Sequence, residues 1–146
     1  MKIKTAEATS LQLDWLVAKA EGLDVAIVMN EGVPQIWYED DINRTATCTY
    51  KNKAGEHRFL LNGTPVGLFG NPLEYGWCEV GPILEREFID VFHIERANTV
   101  WETEIQVGPK VRVKGRGPTP LIAAMRCYCY AKFGDEVEIP EELCRS

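Results

Sequence analysis

Serine and histidine are scarce in this chain. Its only serines are Ser10 and Ser146, and its only histidines are His57 and His93. Ser10 falls where a helix cap belongs and Ser146 is the last residue, so serine-nucleophile chemistry has almost no material. The five cysteines, Cys48, Cys78, Cys127, Cys129 and Cys144, include no C-x-x-C pair and no recognisable Cys–His arrangement. The usual zinc motifs and an activated thiol are therefore without their parts. Cys127 and Cys129 stand two apart on a predicted helix and point to nearly opposite sides, which suits neither a shared metal nor a disulfide. Neither G-x-x-x-x-G-K-[ST] nor G-x-G-x-x-G occurs, so no standard phosphate loop is expected. No catalytic residue, metal ligand or cofactor is assigned. No run is long and apolar enough to cross a bilayer. The opening Met1-Lys2-Ile3-Lys4-Thr5 lacks a signal-peptide core. A cytoplasmic protein is expected.

Positive charge is the minority sign. Sixteen Lys and Arg against 22 Asp and Glu give a net charge of -6, which argues against general nucleic-acid coating, since that rests on phosphate neutralisation. The 146 residues, 45% hydrophobic and 26% charged, suit one soluble domain over 1–146.

Two helices are well marked. Thr9-Ser10-Leu11-Gln12 has capping-box form, Leu13, Leu16, Val17 and Ala20 make an apolar stripe, and Gly22 stops it. Thr119 and Pro120 open a second helix as N-cap and first residue, running to Phe133 before Gly134. Between them the spacing predicts strands at 24–29, 34–39, 45–50, 57–61, 87–95 and 100–107, the third and fourth joined as a hairpin. Gly81-Pro82 reads as a turn. The expected fold is α+β: a curved antiparallel sheet of about five to seven strands with an N-terminal and a C-terminal helix.

One stretch reverses the local charge. Lys110, Arg112, Lys114 and Arg116 alternate with Val111, Val113 and Gly115, a strand period that sends all four cations to one face. The strand runs into the helix that starts at Thr119, and free N–H groups there favour anions. Arg112, Lys114, Arg116 and Thr119 are thus candidate anion ligands. The alternative is an exposed edge strand whose cations prevent edge-to-edge pairing. Residues 62–77 are broken by Gly63, Pro65, Gly67, Gly70, Pro72 and Gly76 and carry Tyr75 and Trp77, either a core lid or a platform on which a ligand base stacks. Glu85 and Glu87 would share a strand face and could do acid–base work or form a solvated, salt-bridged face.

Several blocks resemble a known family. Leu13-Asp14-Trp15 with Val17-Ala18-Lys19-Ala20-Glu21-Gly22, then Gly81-Pro82-Ile83-Leu84-Glu85-Arg86-Glu87, then Thr119-Pro120-Leu121-Ile122-Ala123-Ala124-Met125-Arg126-Cys127 and Gly134-Asp135-Glu136-Val137-Glu138-Ile139-Pro140 are similar to the opening, centre and ending of the NinX family of lambdoid-phage proteins. The resemblance implies a small accessory protein of a phage or prophage, working inside a bacterial cell. It implies no reaction. The tract from Trp37 to Gly76 is longer than the family pattern, and the 110–116 basic alternation departs from it.

Three functions follow as expectations. The first is a non-catalytic binder that sequesters a small anionic, nucleotide-like ligand, countering host defence, with Arg112, Lys114, Arg116 and Thr119 on the anion and Tyr75 or Trp77 on the base. The second is an inhibitor or modulator of a host protein, acting through the acidic tail (Asp135, Glu136, Glu138, Glu141 and Glu142) or the irregular loop. The third is a carboxylate-dependent enzyme built on Glu85 and Glu87. Exposed strand edges also admit self-association into a homo-oligomer.

Overall fold

Thr119, extended at φ −134° and ψ 155°, accepts a hydrogen bond on its side chain from Ile122 N at 3.2 Å and starts the longest helix, α3 (Pro120–Phe133). Gly134 ends it at φ 85°. Both ends match the sequence reading. The buried set is wider than one stripe: Leu121, Ala123, Ala124, Met125, Cys127, Tyr128 and Cys129 are all buried. A helix apolar nearly all round belongs in the middle of a core, and α3 is packed on both sides.

The computed structural model describes residues 1–8, 10–22, 25–30, 32–38, 50–51, 57–58, 80–95 and 100–144. Before α3 come β1 (Lys2–Lys4), a 3₁₀ turn (Thr5–Glu7), α1 (Ser10–Ala20), β2 (Val25–Asn30), β3 (Val33–Tyr38), β4 (Tyr50–Lys51) and β5 (His57–Arg58). A short helix α2 at 80–86 follows, then β6 (Asp90–Glu95), β7 (Val100–Gln106) and β8 (Arg112–Gly117). After α3 the chain closes with β9 (Glu136–Glu138) and a 3₁₀ turn (Glu141–Leu143). The class is α+β, with a helix towards each end. Among the described residues the strands form four separate antiparallel ladders, β1–β9, β2–β3, β4–β5 and β6–β7–β8, where one sheet was expected. The reason is local: most strands here pair with a sequence neighbour, and β1 pairs only with β9.

One expected element is wrong in kind. Residues 80–86 are helical, where a turn at Gly81-Pro82 was predicted. Val80 and Ile83, three apart, are both buried.

The α3 helix lies on the β6–β7–β8 sheet. The inward-facing residues of β7 and β8 pair as Trp101 with Gly117, Thr103 with Gly115 and Ile105 with Val113. Buried Thr103 donates its hydroxyl to Ala123 O of α3 at 2.8 Å. On its other side α3 meets α1, whose Leu13, Leu16, Val17 and Ala18 are buried in the same core. Each large side chain so removed from water contributes roughly 1.5–3 kcal/mol. The chain ends are tied in as well. Thr5 donates its hydroxyl to Gly134 O at 2.6 Å, Met1 N donates to Ile139 O at 2.8 Å, and Gln12 Nε2 donates to Leu143 O at 3.1 Å. Arg126, lowered in pKa by burial, donates to Ala8 O and Arg116 O, both at 2.9 Å.

Candidate functional site

The basic strand forms from Arg112 onward as its alternation predicts, while Lys110 falls in the bend before it. Val113, Gly115 and Gly117 are turned to α3, so Arg112, Lys114 and Arg116 project from the opposite, solvent face of β8. That strand is one edge of its sheet. The register with β7 sets Arg116 opposite Glu102 and Lys114 opposite Glu104. Arg116 pairs with Glu102 at 2.9 Å, and Arg112 and Lys114 reach Glu104 at 2.9 and 3.5 Å. Arg112 also pairs with Asp90 of β6. The three cations thus share one face, each beside a carboxylate; the cations are exposed while Glu102 and Glu104 are only 12% and 20% exposed, and surface pairs contribute up to about 1 kcal/mol each. Thr119 sits apart from that ladder: its hydroxyl caps α3, and the cations point away from the helix it starts. Tyr75 and Trp77 lie outside the described residues, as do Cys48 and Cys78. The alternation of Glu102 and Glu104 on the preceding strand, joined by Gly108 and Pro109, was the available signal that the cations meet acids.

Three carboxylates of the acidic tail, those of Asp135, Glu136 and Glu138, are already paired. Glu136–Glu138 form β9 against β1, where Met1 N meets Glu138 at 3.2 Å, and Lys2 and Lys4 meet Glu136 and Asp135 at 3.8 Å each. The expected acid pair does not form on a strand, because Glu85 lies in α2 and Glu87 in the turn after it. Glu87 instead faces Arg86 at 3.5 Å and Lys132 at 3.9 Å.

A polar cluster joins α1, α2 and α3. Arg86 donates to both oxygens of Glu21, at 3.1 and 2.7 Å, while Tyr128 donates its hydroxyl to Glu21 Oε2 at 2.6 Å. Arg86 also donates to the Tyr128 oxygen at 3.3 Å. The bidentate bond to Glu21 holds the Arg86 pKa up, and burial first, then the bond to Glu21, raises that of Tyr128. Both groups therefore keep their protons at neutral pH, and the cluster clamps three helices together. Two buried cysteines of α3 are equally quiet. Burial pushes the Cys127 thiol up to about 11 and raises Cys129 as well, so neither supplies a thiolate.

The feature that sequence reasoning missed stands at the end of α2. Ile89 N donates to Leu84 O at 3.0 Å and Phe88 N to Glu85 O at 3.4 Å, the pair of bonds that defines a Schellman stop. That motif needs a left-handed residue, usually glycine, and here the residue is Phe88 at φ 52°. Its ring is 85% exposed. An aromatic side chain gains nothing from that position: the backbone is strained by about 1–2 kcal/mol and the ring stays in water. Beyond it on β6, Val91, Phe92 and Ile94 are also exposed. An open groove of about 510 Å³ runs beside Phe88, lined by Glu87, Asp90, Gln106, Gly108 and Arg112. Its lining charges are two carboxylates and one guanidinium.

Among the described residues no group of three or more His, Cys, Asp or Glu side chains is placed to hold a metal ion, and no helix is long and apolar enough to cross a membrane. No curated protein matches the chain. The family described as Bacteriophage P22, NinX does match, over residues 4–132. That span contains α1, the 80–86 helix with its Phe88 stop, the three-stranded sheet and nearly all of α3. The blocks that carried the resemblance supply Glu21 and Arg86 of the helix clamp. With the match covering most of its length, the chain belongs to the NinX family and is a phage accessory protein.

Proposed function

We propose that this phage accessory protein works without catalysis, by protein–protein contact in the bacterial cytosol, through the surface formed by Phe88, Val91, Phe92 and Ile94. The observation that carries the reading is Phe88, an aromatic ring held in water by a left-handed backbone. Strain and exposure together disfavour the isolated fold, and such positions cluster at functional surfaces. Large aromatic side chains are also the residues on which protein contacts most often depend.

The sequestration of a small nucleotide-like anion has one observation in its favour: Arg112 and an aromatic ring border the same groove. It is the weaker reading. Glu87 and Asp90 line that groove too, and an anion at Arg112, Lys114 or Arg116 has to displace the carboxylates of Glu102, Glu104 or Asp90. A role in countering host defence is compatible with either reading.

Native mass spectrometry of the chain purified gently from bacteria, beside a denatured control, separates them. A protein-sized added mass is expected, retained by Arg116→Ala and lost in Phe88→Gly. Phe88→Gly should also unfold later than wild type, by about 1 kcal/mol, because glycine relieves the left-handed strain. A nucleotide-sized mass lost on Arg112→Ala overturns the reading in favour of sequestration. A protein complex indifferent to Phe88→Gly removes this surface from it.

A further inference from the structure

Phe88 stands between residues that are held. Before it, Arg86 is bound to both oxygens of Glu21, just past α1, and to the Tyr128 oxygen on α3. Glu87 faces Lys132 at 3.9 Å, and Tyr128 and Lys132, four apart, lie on one face of α3. After it, Ile89 is buried in the core, and Asp90 opens β6 opposite Glu104 of β7. The chain thus passes from a gripped helix end to a gripped strand within residues 87–89. The bond from Ile89 N to Leu84 O at 3.0 Å closes that passage. A left-handed backbone at a residue with a side chain persists only where its surroundings over-determine it. At seven residues, 80–86, α2 is too short to hold its own last turn. Buried Val80 and Ile83 anchor its body, and the bonds of Arg86 anchor the turn next to Phe88.

We infer that Arg86 is the positioning residue of Phe88: its bonds to Glu21 and Tyr128 fix the last turn of α2, and the fixed turn holds Phe88 left-handed with its ring in water. The inference rests on the protein-contact reading for what the ring is for. The mechanical link between Arg86 and Phe88 rests on the geometry alone. A guanidinium grips both oxygens of a carboxylate in one plane, whereas a lysine at 86 keeps the charge and loses that plane. The last turn of α2 is then free to rotate, the bond from Ile89 N to Leu84 O opens, and Phe88 relaxes to the negative φ that L-residues prefer. The ring gains no contact from its present conformation, so nothing in the side chain opposes the change. The helices stay joined through buried Leu16, Val17, Ile83 and Met125 of the shared core, which confines the release to residues 86–89.

Amide hydrogen exchange and NMR of the full chain test this link. In wild type the Ile89 amide should be protected, and Phe88 should show the strong amide-to-Hα contact within one residue that marks a left-handed backbone. Arg86→Lys should speed Ile89 exchange about tenfold relative to amides in the middle of α3, because the opening is local, and should weaken the Phe88 contact. Phe88→Gly should then stabilise the Arg86→Lys protein less than it stabilises wild type, since a relaxed residue has no strain left to relieve. Thr119→Ala, which weakens the fold at the other end of α3, should leave the Phe88 signal unchanged. Glu21→Gln keeps the outline of the cluster and removes its charge; it should open the same amide selectively, and it decides the matter if Arg86→Lys does not fold. Exchange that speeds equally at Ile89 and along α3 makes Arg86 a brace of the whole fold and overturns the inference. So does a Phe88 that keeps its left-handed signal in both variants. No partner enters these measurements, so the two readings fail separately. A bare mass in every native preparation ends the contact reading and leaves the link between Arg86 and Phe88, whereas a Phe88 indifferent to Arg86 ends the link and leaves the contact surface standing.

Discussion

Gly115→Ala tests the central packing contact. A Cβ at Gly115 would lie 2.5 Å from Ala123 O, 2.5 Å from Cys127 N and 2.7 Å from Cys127 Cβ. Ordinary contact begins near 3.4 Å, so α3 has to withdraw by about 0.9 Å. Rotamer changes cannot provide that space, because two of the three obstructing atoms are backbone. They are moreover four residues apart on α3, the spacing of a helical hydrogen bond, and Ala123 O also accepts from Thr103 at 2.8 Å. Overpacking a core costs about 1–3 kcal/mol, and obstruction by backbone places this substitution at the top of that range, about 3 kcal/mol. For a chain of this size that is a fall in melting temperature of roughly 10 °C. The control is Gly108→Ala, whose Cβ would find only Val111 at 3.9 Å and should change stability by less than about 0.5 kcal/mol. Urea unfolding followed by Trp fluorescence and by far-UV circular dichroism reads both. A Gly115→Ala protein within about 1 kcal/mol of wild type would refute the close approach of β8 to α3.

Two further outcomes are expected. Thr119→Ala should cost about 1 kcal/mol, the usual loss on removing a helix cap, because the hydroxyl accepts from Ile122 N at 3.2 Å; Thr119→Ser should restore most of it in the same urea titration. The folded chain holds the Cys127 thiol proton from 9.0 up to about 11, so between those values the unfolded chain ionises first and binds fewer protons. Stability from this group is whole below pH 9 and falls as pH rises towards 11. Unfolding in reductant at pH 8 and pH 10 should show a smaller loss in Cys127→Ala than in wild type, and equal losses would exclude this assignment.

Some of this architecture is legible in the sequence because local chemistry decides it. Thr119, Pro120 and Gly134 bound α3 to the residue, and caps act within a turn of where they stand. The alternation through 112–116 predicts β8, because a period of two has only one regular solution. The 80–86 helix is not read, since Gly81-Pro82 supports a turn and a helix start equally and the choice falls to burial of Val80 and Ile83. The Phe88 surface is hidden for the same reason: until α2 exists there is no helix end for Phe88 to terminate, and nothing marks its backbone as left-handed. Ion pairing of the cations depends on register, and register is a property of two strands.

The basic strand, which most resembles a ligand site in one dimension, has a complete internal account in three. Its inward positions are small because α3 approaches within contact of Gly115 and Gly117, and its outward positions are long cations because Glu102 and Glu104 stand opposite them. Each side of the alternation answers to a neighbour already present in the fold. The segment from 88 to 94 has the reverse character. Phe88 is strained and in water, and Phe92 stands on an edge with backbone groups facing outward; within the described fold no neighbour accounts for either. A residue that repays its conformation inside its own chain gives no reason to invoke a partner, whereas one that does not repay it gives a reason, and on that ground the proposed contact surface is placed at β6 and the turn before it.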